Sequence, residues 1–104
     1  MRIEPKPVIF DWDKGNIDKN FVKHNVTNRE AEEVFEDSPK FIFKDEKHSQ
    51  VEERYGLYGG TKAGRLLFVV FTIKKEKVRI ISVRDMSQKE RRVYEGKIKD
   101  YSKV

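Results

Sequence analysis

Residues 65–72 read RLLFVVFT, and every position from Leu66 to Phe71 is apolar. In an extended chain, alternate side chains point to opposite faces, so both faces of this segment carry large apolar groups. A β-rich run of this kind needs cover on both sides. It predicts a central strand, with the remaining elements arranged around it.

The neighbouring segments supply that arrangement. VEERYGLYG (51–59) reads as a strand and is followed by the glycine-rich turn GGTKAGR (59–65). IKKEK (73–77) turns the chain again, and VRIISVR (78–84) reads as the next strand. KFIFK (40–44) is a further short strand, and DEKHSQ (45–50) a polar loop. Short connections between successive strands imply antiparallel pairing.

Helices are signalled on both sides of this meander. Thr27 with Glu30 forms a capping box ahead of Ala31, Val34 and Phe35, and Ser87 with Glu90 forms a second. Tyr94 and Ile98 then make an i, i+4 pair able to rest on the sheet. DSP (37–39) stops the first capped helix. DKGNIDKNFVKH (13–24) reads as a helix capped by Asp13 or started by Asn16, with Ile17 and Phe21 on its apolar stripe. PVIFDWD (7–13) predicts a short first strand, kept to an edge by Pro5 and Pro7. The expected fold class is α+β: two N-terminal helices packed on a four- or five-stranded antiparallel sheet, plus a C-terminal helix. At 104 residues this is one domain, spanning 1–104.

Composition narrows the function. There is no cysteine, which removes disulfides and thiol nucleophiles, and only His24 and His48 offer imidazole. No cofactor or metal set is suggested. The N-terminus lacks the apolar run of a signal peptide, and no stretch is long enough to span a bilayer, so the expected location is cytoplasmic. Residues 74–104 carry 11 Lys/Arg against 5 Asp/Glu, while residues 1–73 carry 12 against 13. The basic third suits an anionic partner such as nucleic acid, an acidic protein, or solubility alone.

Several residues are candidates for chemistry. His24 titrates nearest neutrality and stands beside Lys23; its other reading is a helix-end histidine bonding terminal carbonyls. Glu53 is a candidate base, or a structural ion-pair partner. Glu52, adjacent in an extended segment, faces the other way. Arg79 and Arg84 suit phosphate through their forked guanidinium groups, or pair with acids at the sheet edge. Counted along a straight strand, they fall on opposite parities. GGTKAG lacks the Gly-Lys-Ser/Thr of a phosphate loop, and no Ser/His/acid spacing is present. Trp12 reads as core. The aromatic signature of an RNA-recognition sheet is not legible.

Taken in order, FDWD (10–13), Asn20, KH (23–24), EAEEVFED (30–37), EERY (52–55), GG (59–60), GRLLFVVFT (64–72) and VRIISVRDMSQKERRVYE (78–95) resemble the BrnT family of toxins from type II toxin–antitoxin pairs. The resemblance covers roughly residues 9–96. Asn25 stands where the family commonly has glycine, and asparagine tolerates the left-handed conformation such a turn needs. Val83 replaces a common alanine.

The resemblance implies a RelE-like fold and a ribonuclease that arrests translation. It implies a cognate ribbon-helix-helix (BrnA-like) antitoxin encoded alongside, with operator DNA bound only by the complex. It points to Lys23, His24, Glu53, Arg54, Arg79 and Arg84 as site residues. The chemistry it suggests is metal-independent transesterification of RNA. Glu53 or His24 would be base, His24 or Lys23 acid, and the arginines would hold phosphate. A non-catalytic RNA-binding or partner-binding module is the alternative.

Overall fold

The computed structural model describes residues 8–36, 39–46 and 52–102. Pro5, Pro7, His48 and the Asp37–Ser38 part of the helix stop lie outside them. The elements are α1 (Lys19–His24), α2 (Asn28–Glu33), β1 (Lys40–Lys44), β2 (Tyr55–Gly60), β3 (Leu66–Lys74), β4 (Lys77–Asp85) and α3 (Gln88–Ser102). The strands form one antiparallel sheet in the order β1-β2-β3-β4. β3 is interior, as its two-sided apolar pattern demands.

The two N-terminal helices cover one face, called the first face below. Leu57, Leu67, Val69, Phe71, Val78, Ile80 and Val83 meet Val26, Ala31, Val34 and Phe35 there. Phe35 sits edge-on between Phe10 and Phe71, with centroid distances of 5.3 and 5.1 Å. Removing these side chains from water is the main favourable term of the fold.

Both capping boxes form. Thr27 Oγ1 accepts from Glu30 N and the Glu30 carboxylate accepts from Thr27 N, each at 3.0 Å. Ser87 and Glu90 do the same at 3.2 and 2.8 Å. The β3–β4 connection is a two-residue turn in which Lys75 and Glu76 both have positive φ, 50° and 64°. That is the primed geometry a tight hairpin requires, here without the usual asparagine and glycine. Asn25 also adopts the left-handed conformation, φ 55°, at the end of α1.

The N-terminal segment differs from expectation. In place of a strand over 7–13, Phe10 makes one parallel bridge to Val78, and the sheet has four strands. The reason lies in Asn16. Its side chain accepts from Asp13 N at 2.8 Å and donates to Asp11 O and Ile80 O at 3.0 and 3.1 Å. This ties the chain into a turn before pairing can extend. Helix α1 begins only at Lys19, because Asp18 has φ 58° and breaks the helical path from Asp13.

The buried face of this segment is polar. Asn16 and Asn20 are buried, whereas Ile17 and Phe21, the expected stripe, are about half exposed. Asn20 Oδ1 accepts from Val83 N at 2.9 Å. Residues 9 and 11 bond the backbone of Val78, Asn16 takes Ile80, and Asn20 takes Val83. Two asparagine side chains thus continue, along the β4 edge, what a fifth strand would have done.

Candidate functional site

One irregularity in β4 places the arginines. Phe71 pairs with Ile80, but Val70 pairs with Ser82, so Ile81 is an extra residue. Such a bulge reverses the parity of everything beyond it. Arg79 pairs with Thr72 and Arg84 with Phe68. Thr72 and Phe68 are four residues apart on unbroken β3, so Arg79 and Arg84 share a face, contrary to the straight-strand count. This is the second face, away from α1 and α2. Extending the β2–β3 register by one residue places Arg54 beside Thr72, in the same row as Arg79. Val70 and Ser82 lie between this row and Arg84.

Each arginine is held by an acid. Arg79 makes a two-pronged pair with Asp13 at 2.8 and 3.0 Å, with Asp11 at 3.7 Å. Arg84 makes one with Glu90 at 2.7 and 2.8 Å, and its guanidinium lies 4.8 Å from the Phe68 ring centroid. Arg54 lies 3.8 Å from Glu52. The hydrogen bond from Arg79 holds the Asp13 carboxyl below its ordinary range, and that from Arg84 does the same for Glu90. These contacts occupy the forks of Arg79 and Arg84 with carboxylates, which an incoming anion would have to displace or share.

The other predicted residues lie apart from this row. Glu53 precedes β2 and is exposed, with its carboxylate bonded to the Tyr55 hydroxyl at 2.9 Å and Lys44 Nζ at 3.4 Å. The Tyr55 bond, then the Lys44 charge, lower its pKa. Tyr55 stacks on Phe71, so Glu53 follows the first face. An open depression of about 410 Å³ at this end of the sheet is lined from both faces by Glu52, Glu53, Tyr55, Thr72, Ile73 and Lys74. Lys23 and His24 stand exposed in the last turn of α1. This is near Asp85, whose carboxyl is held low first by Arg65 and in smaller part by His24. Asp85 pairs with Leu67, and Tyr55 with Phe71, so His24 and Glu53 belong to opposite ends of the sheet.

Two further residues, Glu52 and Arg65, organise this region. Glu52 shares the arginine side: it pairs with Arg54, lies 3.4 Å from Lys74 Nζ, and contributes to raising the pKa of Arg79. Arg65 bonds both Asp85 oxygens at 2.7 and 3.0 Å, Glu30 at 3.2 Å, and the carbonyls of Asn25 and His24 at 2.8 and 3.4 Å. These carboxylates push its pKa further upward. It ties the α1–α2 joint to the sheet end and so positions the Lys23–His24 turn. The pairing of Glu52 with Arg54 was foreseeable from their proximity; the reach of Arg65 across the fold was not.

Among the described residues, no three His, Asp or Glu side chains converge as a metal site, and no helix is long and apolar enough to cross a membrane. Two short helices on a four-stranded antiparallel sheet, with a C-terminal helix on its far side and an arginine-bearing open face, define a small RelE-like α+β protein. The chain belongs to the BrnT family: the family model described as "Ribonuclease toxin, BrnT, of type II toxin-antitoxin system" matches residues 12–90. No curated protein matches the chain.

Proposed function

We propose that this protein is a metal-independent endoribonuclease that acts in the cytoplasm, arrests translation, and is neutralised by a ribbon-helix-helix antitoxin. The observation that carries the reading is the sharing of one sheet face by Arg54, Arg79 and Arg84, produced by the bulge at Ile81. Guanidinium groups on one face suit a phosphodiester whose negative charge grows as phosphorus becomes pentavalent. In the proposed step the substrate 2′-oxygen attacks phosphorus and the P–O5′ bond breaks. The 2′-hydroxyl proton passes to a base and the 5′-oxygen receives one from an acid. Glu53 or His24 serves as base, and His24 or Lys23 as acid. The antitoxin covers the toxin, and the complex binds operator DNA.

Glu53 follows the opposite face from the arginines and His24 stands at the other end of the sheet from Glu53, which favours a second reading, RNA binding without cleavage. Both are tested by incubating a defined RNA with the purified protein in EDTA and analysing the ends. The expected products carry a 2′,3′-cyclic phosphate and a 5′-hydroxyl. The Arg79→Ala/Arg84→Ala protein should lose activity by about 100-fold or more, the scale of removing charge-stabilising groups. Undiminished activity in that folded variant would sink the mechanism. Salt-sensitive binding without any cleavage would move the assignment to the second reading.

A further inference from the structure

We infer that the second face of the sheet carries a stacking subsite for an unpaired RNA base, built from Phe43, Tyr58 and Phe68 beside Arg84. The substrate class rests on the ribonuclease reading above; the subsite rests on the rings.

Strand register assembles them. Phe41, Tyr58, Phe68 and Arg84 lie opposite one another in a single row across all four strands, and Phe43 stands in the next row, opposite Gly56. The sequence scatters these aromatics over three strands, which is why no RNA-recognition pattern was legible. Phe43 and Phe68 lie nearly parallel, 9° apart with centroids 6.3 Å apart. Tyr58 is 5.4 Å from Phe43 and 5.3 Å from Phe68. All remain partly exposed. Gly56 makes the arrangement possible: a Cβ there would stand 2.3 Å from Phe43 Cζ, so the ring lies over bare backbone.

The charges around the rings identify the occupant. Arg84 lies over Phe68 at 4.8 Å, and Lys97 Nζ lies 5.2 Å from the Phe41 centroid. A base stacked on Phe68 and Tyr58 brings a flanking phosphate to Arg84, and a strand continuing along the aromatic row meets Lys97 at its other end. A protein partner recognised by aliphatic contact has a different surface available: Ile9, Ile17, Phe21 and Val22 are exposed on the N-terminal segment. Stacking needs a free base face, which a duplex withholds.

The test is an anisotropy titration of the full chain with a short 2′-O-methyl oligoribonucleotide, which lacks the nucleophile for cleavage. The same backbone is presented as a base-bearing single strand, an abasic strand and a duplex, at one salt concentration. Abasic and duplex forms should bind on the order of tenfold more weakly. Tyr58→Ala and Phe68→Leu should bring the base-bearing strand down to the abasic level, and Phe68→Tyr should restore it. Equal affinity for abasic and base-bearing strands, or no binding of any strand, overturns the subsite. Base-dependent binding by a protein that cleaves no RNA keeps the subsite and removes the ribonuclease reading. Cleavage with base-independent binding does the reverse.

Discussion

The guanidinium of Arg84 lies over the ring of Phe68, 4.8 Å from its centroid, while the carboxylate of Glu90 takes both terminal nitrogens at 2.7 and 2.8 Å. The same carboxylate accepts from Ser87 N and closes the capping box of α3. One side chain thus starts the C-terminal helix and orients an arginine of the candidate site. Glu90→Gln keeps the shape but removes the charge. The glutamine oxygen can still accept from Ser87 N, so the loss is the ionic part of the Arg84 pair: stability should fall by about 1 kcal/mol and the melting temperature by roughly 4–8 °C. It should also strengthen RNA binding, because Arg84 is no longer neutralised. Thermal melts and binding titrations measure the two effects independently; unchanged binding would mean that Arg84 does not meet the phosphate.

Acid should destabilise the protein in large part through three hydrogen-bonded carboxylates. Glu90 is held low by Arg84, Asp85 by Arg65, and Glu30 first by the Thr27 backbone N–H. Their ordinary values are 4.5, 3.8 and 4.5. A depressed folded-state pKa means the unfolded chain takes up protons first, so stability falls as pH falls. The contribution is complete above about pH 5.5 and drains away through and below the ordinary values. Urea midpoints across that interval should show it, and Glu90→Gln should flatten the slope. A midpoint that rises on acidification would contradict these pairings.

Arg65 should matter more than its surface position suggests. It joins Asp85, Glu30 and the carbonyls of His24 and Asn25. Arg65→Ala removes these bonds together and should cost about 2 kcal/mol. Arg65→Lys cannot reproduce the fork and should recover only part of that. Chemical denaturation ranks the three proteins; equal stability of lysine and arginine would mean that charge alone suffices.

Asn20 is a buried edge cap. Asn20→Ala leaves the Val83 N–H without its partner, and the expected cost is about 2 kcal/mol. Hydrogen exchange at Val83 should accelerate beyond the global change. Protection that stays proportionate to overall stability would argue against a local role.

The β3–β4 turn offers a gain. Lys75 and Glu76 both occupy the left-handed region, which disfavours non-glycine residues by roughly 1–2 kcal/mol each. Replacing the pair with Asn-Gly should stabilise the fold by about 1 kcal/mol with no change in RNA binding. A calorimetric melt tests it, and a lowered melting temperature would contradict the turn geometry.

Local rules made much of this protein legible from the chain itself. The two capping boxes depend on residues three apart, the meander on apolar runs separated by turn residues, and the burial of β3 on its own two-sided pattern. Asn25 adopts the left-handed turn its chemistry allows. The family pattern is likewise a property of residues in order, and the family match agrees with it.

Tertiary structure decided the rest. Side-chain direction in a strand alternates strictly, so one extra residue at Ile81 moves Arg84 to the face of Arg79. That residue belongs to a pairing between strands and has no mark of its own in the chain. Asn16 and Asn20 look like helix residues until the β4 edge supplies unpaired backbone for them to bond. The aromatic row exists only because antiparallel register sets Phe41, Tyr58 and Phe68 side by side. Local pattern determined the meander and the capped helices, because those depend on neighbours in the chain; non-local hydrogen bonds to the β4 edge decided the N-terminal segment, and strand register decided which side chains share a surface.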